Sequence, residues 1–378
     1  MVPGEQKSQR EVSKRVMKTI RSNSLHPAFI GCPCCTIIPS GMLKNLAENG
    51  SPRQRRRAMS TMLQSERLRG HREMLASLGA VSLSTPTGQK RRTIYDAKQK
   101  PVLPGKLVRG EGGKKTKDKF VTEAYDYSGT VYDFYKTVFN RTSVDDKGMR
   151  LDSTVHFRED PREAFDNAFW DGQQMVYGDG DGEIFDRFTK CLDVIGHELT
   201  HGVTQFEAGL VYQGQSGALN ESLSDVFGSL VKQWKLKQSA AKADWLIGAG
   251  LLAKGVKGVA LRSMKAPGTA YDDPRLGKDP QPAHMKDYDH SAGDNGGVHI
   301  NSGIPNFAFY LVASSLGGNA WDKAGKIWYD TLCNRLRADS DFAAAASATI
   351  KSATDLFGGN STEQKAVQAA WKQVGVLK

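Results

Sequence analysis

The sequence lacks any apolar run long enough to cross a membrane. No stretch within its 378 residues approaches the roughly 18 to 20 apolar residues that a bilayer span requires. The N-terminal stretch MVPGEQKSQREVSKRVMKTIRSNS is charged and contains no apolar core of the kind found in secretory signal peptides. We therefore expect a protein without a membrane partner that is cytoplasmic or is secreted without a signal peptide.

Cysteine is scarce, and its placement excludes a disulfide framework. Of the five cysteines, Cys32, Cys34 and Cys35 form one cluster, and Cys191 and Cys333 lie far apart. An odd number without regular spacing is typical of a reducing compartment. The cluster could bind a metal or sense oxidation, although no second Cys/His pair completes a tetrahedral zinc site.

Lysine and arginine are absent from residues 191–231. The net charge of +11 arises elsewhere, because residues 1–120 carry 25 Lys/Arg against 8 Asp/Glu and the remainder carries 27 against 33. The carboxylates of residues 191–231 thus have no basic neighbour in sequence, and a divalent cation would offset their charge. Nucleic-acid binding by residues 1–120 stays open as an alternative, but a solvated helix or turn explains their RQRRR run more simply.

Composition divides the chain into four parts. Residues 1–34 are polar, basic and without periodicity, which predicts a disordered extension. Residues 35–85 predict two short helices separated by a turn at NGSP, and residues 79–93 resemble an exposed, cleavable linker in their Gly, Ser, Thr and Pro content. Residues 86–206 begin with short strand-like runs, including a hairpin signal at GDGDG, and end in a helix. Residues 207–378 show helical patterns, so we predict an α+β fold.

The stretch GHELTHGV places two histidines four residues apart. On a helix, His197 and His201 project from one face and can offer their ring nitrogens to one ion. Glu198 lies beside them, where its carboxylate could take a proton from a metal-bound water, as in the HExxH arrangement. Two histidines alone do not make a catalytic site, so this interpretation requires a third ligand.

The downstream stretch GALNESLSDVFG contains a candidate for that ligand. Glu221 and Asp225 lie four residues apart on one helical face, where like charges repel each other by about a few tenths of a kcal/mol. A surface pair of carboxylates is the simpler alternative, but a helix gains nothing from such a pair. A zinc ion bound by Glu221, with Asp225 hydrogen-bonded to a ligand histidine, accounts for both carboxylates.

These two stretches resemble the thermolysin-like family of zinc metallopeptidases. The resemblance implies an α+β fold of two lobes: a mixed, β-rich N-terminal lobe and an α-helical C-terminal lobe, with the HExxH helix between them. It also implies one Zn2+ ion bound by His197, His201 and Glu221, with Glu198 as general base and Asp225 holding a ligand histidine. Three protein ligands leave one position for water, which is typical of a catalytic zinc site.

Further stretches extend the resemblance over most of the chain. NAFWDGQQMVYGDGDG matches the family's edge strand, which implies that Asn167 and Ala168 bind the substrate backbone. GLVYQGQSGALNE and DNGGVHINSGIPN imply that Tyr212 and His299 stabilise the developing oxyanion, with Asp294 behind the histidine. A purely structural pair of His299 and Asp294 stays open as an alternative.

Substrate preference is also implied by the resemblance. LRSM matches the stretch whose arginine grips a substrate carbonyl, which implies this role for Arg262. The family's apolar pocket is implied at Val194, Ile247 and Leu261. We therefore expect cleavage on the N-terminal side of large apolar residues.

The sequence departs from the family at its double calcium site. Asp193 and Asp244 are kept, whereas Lys232, Leu246 and Ala249 stand at the other ligand positions. An ammonium group and two apolar side chains cannot replace oxygen ligands. We therefore predict that the double calcium site is absent.

The stretch CTIIPSGMLKNLAENG resembles the short propeptide of the protealysin-like branch of this family. The resemblance implies that residues 35–85 lie along the active-site cleft, inhibit the enzyme and are removed autocatalytically between about residues 76 and 92. The second proline of the propeptide motif is replaced by Ser40. A thiolate of the cysteine cluster could reach the zinc as a switch.

The leading hypothesis is a monomeric zinc endopeptidase that acts on proteins or peptides and is made as a precursor. An aminopeptidase would require a carboxylate that holds the substrate's amino terminus, and none is assigned. A catalytically inactive binding protein on a peptidase scaffold usually lacks a ligand or the base, whereas all of them are present here.

Overall fold

The computed structural model describes residues 36–77 and 88–378, with the backbone alone for residues 66–77. The predicted extension at residues 1–34, the cysteine cluster and most of the predicted linker lie outside the described residues. Within the described part, no helix is both long and apolar enough to cross a bilayer. The predicted α+β architecture of two lobes is confirmed, and a smaller N-terminal unit, residues 36–77, lies against these lobes.

The N-terminal unit contains the helices α1 (Ser40–Asn49) and α2 (Pro52–Ser77). The predicted turn between them is confirmed, but α2 is 26 residues long rather than short. Met59 and Leu63, apolar residues one helical turn apart on α2, are more than half exposed. Among residues 52–65, whose side chains the structure describes, the buried face of α2 consists largely of polar residues instead: Gln54, Arg57, Ala58, Thr61, Gln64 and Ser65.

The N-terminal lobe is built on a five-stranded sheet with the order β2-β1-β3-β5-β4. Its strands are β1 (Arg92–Asp96), β2 (Lys106–Arg109), β3 (Leu151–Val155), β4 (Ala168–Trp170) and β5 (Met175–Tyr177). The pairs β1–β3 and β3–β5 are parallel, and β4 pairs antiparallel with β5 at the edge of the sheet. The hairpin prediction at GDGDG is wrong in position, because residues 171–174 join β4 to β5 and the GDGDG stretch follows β5.

A long helix, α3 (Lys119–Phe139), packs against this sheet and is absent from the sequence-based prediction. Asp118 caps its first turn by accepting hydrogen bonds from the backbone N–H groups of Phe120 and Val121. Many of its buried residues are β-branched or aromatic, types that strands also favour. The cap was therefore the clearer signal of a helix here than the hydrophobic pattern.

Two helices of the interior, α4 (Leu192–Phe206) and α5 (Gly214–Leu236), carry the predicted metal ligands. They cross at two glycines. A Cβ atom on Gly228 would lie 2.5 Å from the backbone oxygen of Asp193, and one on Gly196 would lie 3.0 Å from the Cα atom of Gly228. Because larger residues would force the helices apart, these glycines permit the short distance between the ligands of α4 and α5.

The C-terminal lobe is mainly helical. Its remaining helices are α6 (Gly293–Asn301), α7 (Gly303–Leu316), α8 (Ala324–Asn334), α9 (Phe342–Phe357) and α10 (Thr362–Gln373). Two short ribbons are formed by the pairs β6 (Leu246–Ile247) with β7 (Arg262–Ser263) and β8 (Asp272–Asp273) with β9 (Gly277–Lys278). The first turn of α6 is left-handed at residues 294–297, of which two are glycines that adopt this conformation readily.

Candidate active site

Three side chains from α4 and α5 meet in the interior of the molecule. His197, His201 and Glu221 offer ligand atoms that all lie within 4.8 Å of one another. The Nε2 atoms of the two histidines are 2.9 Å apart, and each lies 3.4 Å from an oxygen of Glu221. All three side chains are fully buried. The structure thus brings together the three residues predicted to bind a metal.

The hydrogen bonds behind these side chains direct three unprotonated atoms toward one point. Asp225 accepts a hydrogen bond from Nδ1 of His197, and Asn220 accepts one from Nδ1 of His201, each at 2.8 Å. Each imidazole therefore presents a lone pair at Nε2. Oε2 of Glu221 is buried and has no hydrogen-bond partner among the residues that the structure describes. Two lone pairs and a carboxylate at these distances fit a cation between them, and this donor set suits Zn2+.

Asp225 is kept ionised by the groups around it. Burial alone raises its pKa, but Arg262 and His197 hold that pKa well below its ordinary value. Arg262 donates to Asp225 from Nε and Nη2, and Asn306 donates to Oδ2, all at 2.8 Å. An ionised Asp225 retains the proton on Nδ1 of His197 and so fixes which nitrogen faces the cluster.

Asn220 and Asn306 are functional residues that the sequence analysis missed. Asn220 directly precedes Glu221, and a ligand histidine normally needs a partner for its second nitrogen, so this need could have identified it. No local pattern marks Asn306, because it lies on α7, far along the chain from Asp225.

Glu198 lies between the metal ligands and the edge of the sheet. Its Oε2 atom accepts a hydrogen bond from the backbone N–H of Trp170 in β4 at 3.0 Å, and the side chain is fully buried. This contact joins α4 to the edge strand. It also brings the predicted base to the side of the cluster at which an extended chain can pair with β4.

Tyr212 and His299 approach the cluster from the C-terminal lobe. The Tyr212 hydroxyl donates to Glu221 and lies 3.2 Å from Nε2 of His299. Asp294 lies 2.7 Å from Nδ1 of the same histidine. Burial alone lowers the pKa of His299, but Asp294 and Glu221 raise it to about 9. With Asp294 beside Nδ1, the protonated form of His299 is favoured, and Nε2 can donate to an oxygen.

Residues 36–38, named here the cleft segment, pair with β4 beside this cluster. Thr36 forms an antiparallel bridge with Phe169. The N–H group of Ile37 donates to the backbone oxygen of Ala168 at 3.2 Å, and the N–H group of Ile38 donates to Oδ1 of Asn167 at 3.1 Å. The cleft segment thus extends the sheet by one strand.

The carbonyl groups of the cleft segment are bound as well. The Thr36 oxygen accepts a hydrogen bond from Nε2 of His299 at 2.9 Å, and the Ile37 oxygen accepts one from Nη1 of Arg262 at 3.1 Å. Ser40, just beyond the segment, donates to Asp294 at 3.1 Å. Four residues with predicted roles at the substrate therefore contact the cleft segment: Asn167, Ala168, Arg262 and His299. Ile37 is fully buried, in the same apolar cluster as the predicted pocket residues Val194, Ile247 and Leu261.

An ammonium group lies between Asp193 and Asp244, the two residues that the resemblance assigns to a calcium site. Nζ of Lys232 lies 2.8 Å from Asp193 and 3.0 Å from Asp244, and it donates to the backbone oxygen of Leu246 at 2.7 Å. Burial alone lowers the pKa of Lys232, but the two carboxylates raise it above its ordinary value. Lys232 therefore forms ion pairs with both acidic residues and offsets part of their charge.

Comparisons with known proteins agree with this arrangement. The model of the thermolysin metallopeptidase catalytic domain matches residues 78–205, and the model of the thermolysin metallopeptidase alpha-helical domain matches residues 208–376. An extracellular metalloprotease of Pectobacterium carotovorum subsp. carotovorum is 53% identical over 345 residues, which cover 91% of this chain and 97% of that protein. A thermolysin of Alicyclobacillus acidocaldarius subsp. acidocaldarius is 42% identical over 292 residues, which cover 75% of this chain and 50% of that protein.

A solved structure resembles the whole arrangement, including the N-terminal unit. It is the precursor of protealysin, a metalloproteinase from Serratia proteamaculans, with a TM-score of 0.81 and 56% sequence identity. The match covers 91% of this chain and 100% of that structure. Together with the geometry of the buried His-His-Glu cluster, these matches make the chain a metalloendopeptidase that belongs to the thermolysin family.

Proposed function

We propose that the chain is a zinc-dependent endopeptidase, made as a precursor whose cleft segment inhibits it. The observation that carries this proposal is the contact of the Thr36 carbonyl with His299, beside the three ligand atoms. The cleft segment pairs with an edge strand in the manner of a bound peptide. The Thr36–Ile37 bond is accordingly the bond that corresponds to the scissile bond of a substrate.

The roles proposed for the site follow from its contacts. His197, His201 and Glu221 would hold the zinc ion, which when bound polarises a carbonyl and brings the pKa of water to about 7. Glu198, buried beside the cleft, accepts the proton of the attacking water and delivers it to the leaving nitrogen. His299 donates to the oxygen on which negative charge develops.

Tyr212 and the backbone-binding residues complete the proposed machinery. The Tyr212 hydroxyl is within reach of the same region through its contacts with Glu221 and His299, so it is proposed as a second donor to the oxyanion. Asn167, Ala168 and Arg262 would hold the substrate backbone, as they hold the cleft segment. Fixing the peptide in one register lowers the entropic part of the barrier.

A preference for a large apolar residue after the scissile bond fits the apolar surroundings of Ile37. Its side chain is fully buried, and Val194, Ile247 and Leu261 belong to the same buried cluster. Burial of a side chain of this size stabilises binding by roughly 1.5–3 kcal/mol. A polar or charged residue at this position would lose that contribution and would also require desolvation.

The proposal includes self-activation. Residues 35–85 would act as the propeptide, removed between about residues 76 and 92, after an extension at residues 1–34. Two relatives, from Pectobacterium and from Serratia marcescens, are described as extracellular, which favours secretion over a cytoplasmic location. The catalytic lobes would be residues 86–206 and 207–378, in a monomeric enzyme that acts on proteins or peptides.

The purified full-length chain tests the proposal directly. Wild type and a Glu198→Gln variant are incubated side by side and their lengths followed by mass spectrometry, with the exposed α1 variant Glu48→Gln as the matched control. We expect wild type and the control to shorten and the Glu198→Gln variant to keep its full length, because loss of a general base slows hydrolysis by roughly 10²- to 10⁴-fold. Equal shortening of Glu198→Gln and wild type would show that self-processing is wrong.

A peptide library blocked at both ends tests metal dependence and preference. Cleavage that stops with 1,10-phenanthroline and returns with added Zn2+ supports the zinc assignment. Cleavage within blocked peptides, before Leu, Ile or Phe, supports an endopeptidase of the proposed preference. An aminopeptidase would leave these peptides intact, and insensitivity to the chelator would contradict the metal mechanism.

A further inference from the structure

Four carboxylates of the N-terminal lobe lie against helix α2 of the N-terminal unit. This acidic patch consists of Glu163, Asp166, Asp181 and Glu183. Arg53 and Arg56 lie on its exposed margin, 3.4 Å from Glu183 and 3.7 Å from Glu163. None of the roles proposed for the metal cluster and the cleft uses these carboxylates.

Asp166 lies within the patch and is almost completely buried, with 1% of its surface exposed. Both of its carboxylate oxygens lack a hydrogen-bond partner within the described part of the chain. Burial, with Asp181 as the next cause, raises the pKa of Asp166 well above its ordinary value, and Arg57 opposes that rise. A buried carboxylate with unused oxygens is costly, and its presence indicates a place made for a cationic or hydrogen-donating group.

The chain itself shows which group fits beside Asp166. Arg57 of α2 is 4% exposed, and its Nε atom donates to Glu163 at 3.2 Å. Its Nη1 atom donates to Asp181 at 3.4 Å and lies 3.8 Å from Glu183. The acidic patch thus already encloses a guanidinium group, whose planar fork suits several carboxylates at once.

The acidic patch lies directly beside the path of a bound peptide. Asp166 immediately precedes Asn167, which binds the N–H group of Ile38. The bridge between Thr36 and Phe169 is antiparallel. Each later residue of a bound strand therefore lies opposite a residue one position earlier in the N-terminal lobe. The third residue after the scissile position would face Asp166. In the precursor the chain leaves this path at Pro39, where α1 begins at the next residue.

We propose that the acidic patch is a subsite for an arginine or lysine side chain, which Arg57 fills in the precursor and a substrate fills after processing. The subsite reads the third residue after the scissile bond. This inference rests on the proposed peptidase function, because it assigns a second element of specificity to the same cleft. The apolar pocket would select the first residue after the bond, and the acidic patch would select a cation two positions further on.

Blocked peptides that differ at one position test the subsite. The full-length chain is first allowed to process itself, and kcat/KM is then measured for three peptides with Leu after the scissile bond and Arg, Gln or Glu two residues later. We expect the Arg peptide to be preferred over the Gln peptide by about tenfold, and the Glu peptide to be the poorest, because a hydrogen bond to a charged partner is worth about one order of magnitude or more. An Arg/Gln ratio near one in wild type would overturn the proposal.

Variants of the patch separate the subsite from general charge effects. Asp181→Asn keeps the Oδ1 acceptor that binds the backbone N–H groups of Glu183, Ile184 and Phe185. It replaces Oδ2, which accepts from Arg57, with a neutral NH2 group. We expect it to lower the Arg/Gln ratio of kcat/KM severalfold, because the substrate cation loses one of its charged partners. The exposed Asp339→Asn variant, with the same change of charge in the C-terminal lobe, should keep the ratio. An unchanged ratio in Asp181→Asn would contradict the subsite.

Two further measurements keep the test decisive. If Asp181→Asn does not fold, Glu163→Gln removes another carboxylate that contacts Arg57 and carries the same expectation. If wild type cuts none of the peptides, the proposed function fails. Binding of the fluorescein-labelled Arg and Gln peptides is then measured by anisotropy on an Arg57→Gln variant, in which the patch no longer holds the guanidinium of Arg57. Equal affinities of the two peptides would remove the subsite as well.

Discussion

Two groups of carboxylates in this molecule are each closed by a cation of the same chain, and they differ in where that cation comes from. Asp193 and Asp244 bind Lys232, which lies on α5 within the catalytic lobes. The acidic patch binds Arg57, which lies on α2 in the N-terminal unit. One cation is a permanent part of the catalytic body, whereas the other belongs to a segment that is proposed to leave it.

An ion pair between a cation and buried carboxylates can thus stabilise a fold at one place and hold a separate segment at another. A carboxylate buried beside a cation is destabilised strongly when that cation is removed. At Lys232 this coupling contributes to the stability of the folded lobes. At Arg57 the same coupling contributes to the binding of the N-terminal unit, and its loss leaves an acidic patch available to other ligands. This contrast leads to predictions, given in order of decreasing expected effect.

Removal of the permanent cation should have the largest effect. A Lys232→Met variant leaves Asp193 buried without its partner, so we expect a loss of about 3 kcal/mol in the free energy of unfolding and a fall in Tm of several degrees. The measurement is thermal unfolding, made with Glu198→Gln in both proteins to prevent self-cleavage. The Lys235→Met variant on the exposed side of α5 should change Tm little. A Tm equal to that of the parent would show that the ion pair contributes no stability.

Substitution of Arg57, the cation of the N-terminal unit, should change the rate of self-processing instead. An Arg57→Gln variant of the full-length chain loses the contacts of its guanidinium with Glu163 and Asp181. We expect the precursor to shorten up to about tenfold faster, which corresponds to roughly 1.4 kcal/mol of weaker docking. Arg55→Gln is the control, because the Arg55 side chain donates to the backbone oxygen of Gly50 within the N-terminal unit. Equal rates for all three chains would mean that docking of α2 does not limit processing.

His156 is a third cationic side chain between two carboxylates, and unlike Lys232 and Arg57 it can lose its charge near neutral or mildly basic pH. Nδ1 of His156 lies 2.7 Å from Asp179, and its Nε2 lies 2.9 Å from Asp118. Burial alone lowers its pKa, but these carboxylates raise it to about 9. The folded-state pKa of His156 exceeds the ordinary value of 6.5. Its contacts with Asp179 and Asp118 therefore contribute their full stabilisation of the folded state below about pH 6.5. That contribution is lost as the pH rises through 9.

We therefore expect the His156→Gln variant to be less stable than its parent at pH 6, by about 1 kcal/mol after allowance for solvent screening. The difference should shrink by pH 9.5. The measurement is the difference in Tm at the two pH values, with the exposed His290→Gln variant as the control. A difference that grows with pH would contradict the assigned charge state.

Calcium should have the smallest effect on the natural chain. Because Lys232 already compensates Asp193 and Asp244, we expect millimolar calcium to change Tm by no more than about 1 °C. Lys232→Glu restores an oxygen ligand, and its Tm should rise with calcium concentration. A rise of several degrees in the natural chain would disprove the predicted absence of the double calcium site.

The sequence predicted the α+β fold and the metal cluster because the decisive residues are local. Two short motifs hold His197, His201 and Glu221. Helical spacing alone places the two histidines on one face of their helix, and Glu221 and Asp225 on one face of the next. The crossing of α4 and α5 then joins the sets, and Gly196 and Gly228 permit it. Asn306 escaped the prediction because its contact with Asp225 depends on the tertiary fold.

Two helices show where pattern analysis of this sequence reached its limit. The run at residues 53–57 suggested a solvated helix face, which holds for its exposed residues but is wrong for Arg57. Helix α2 buries polar residues because its docking surface is acidic, and this is a property of another part of the chain. Helix α3 was missed because its β-branched and aromatic residues also suit strands, although the cap at Asp118 was present in the sequence.

The covalent connection between the cleft segment and the lobes has a consequence for inhibitor strength. A tethered segment competes at an effective concentration in the millimolar range for a short linker. In the inhibitory role proposed for it, the segment would therefore block the cleft even when its intrinsic affinity is modest. One cut in the connection ends this advantage, since the released piece is diluted to the concentration of the enzyme itself. A single hydrolysis can thus convert an effective inhibitor into a weak ligand without any change in its contacts.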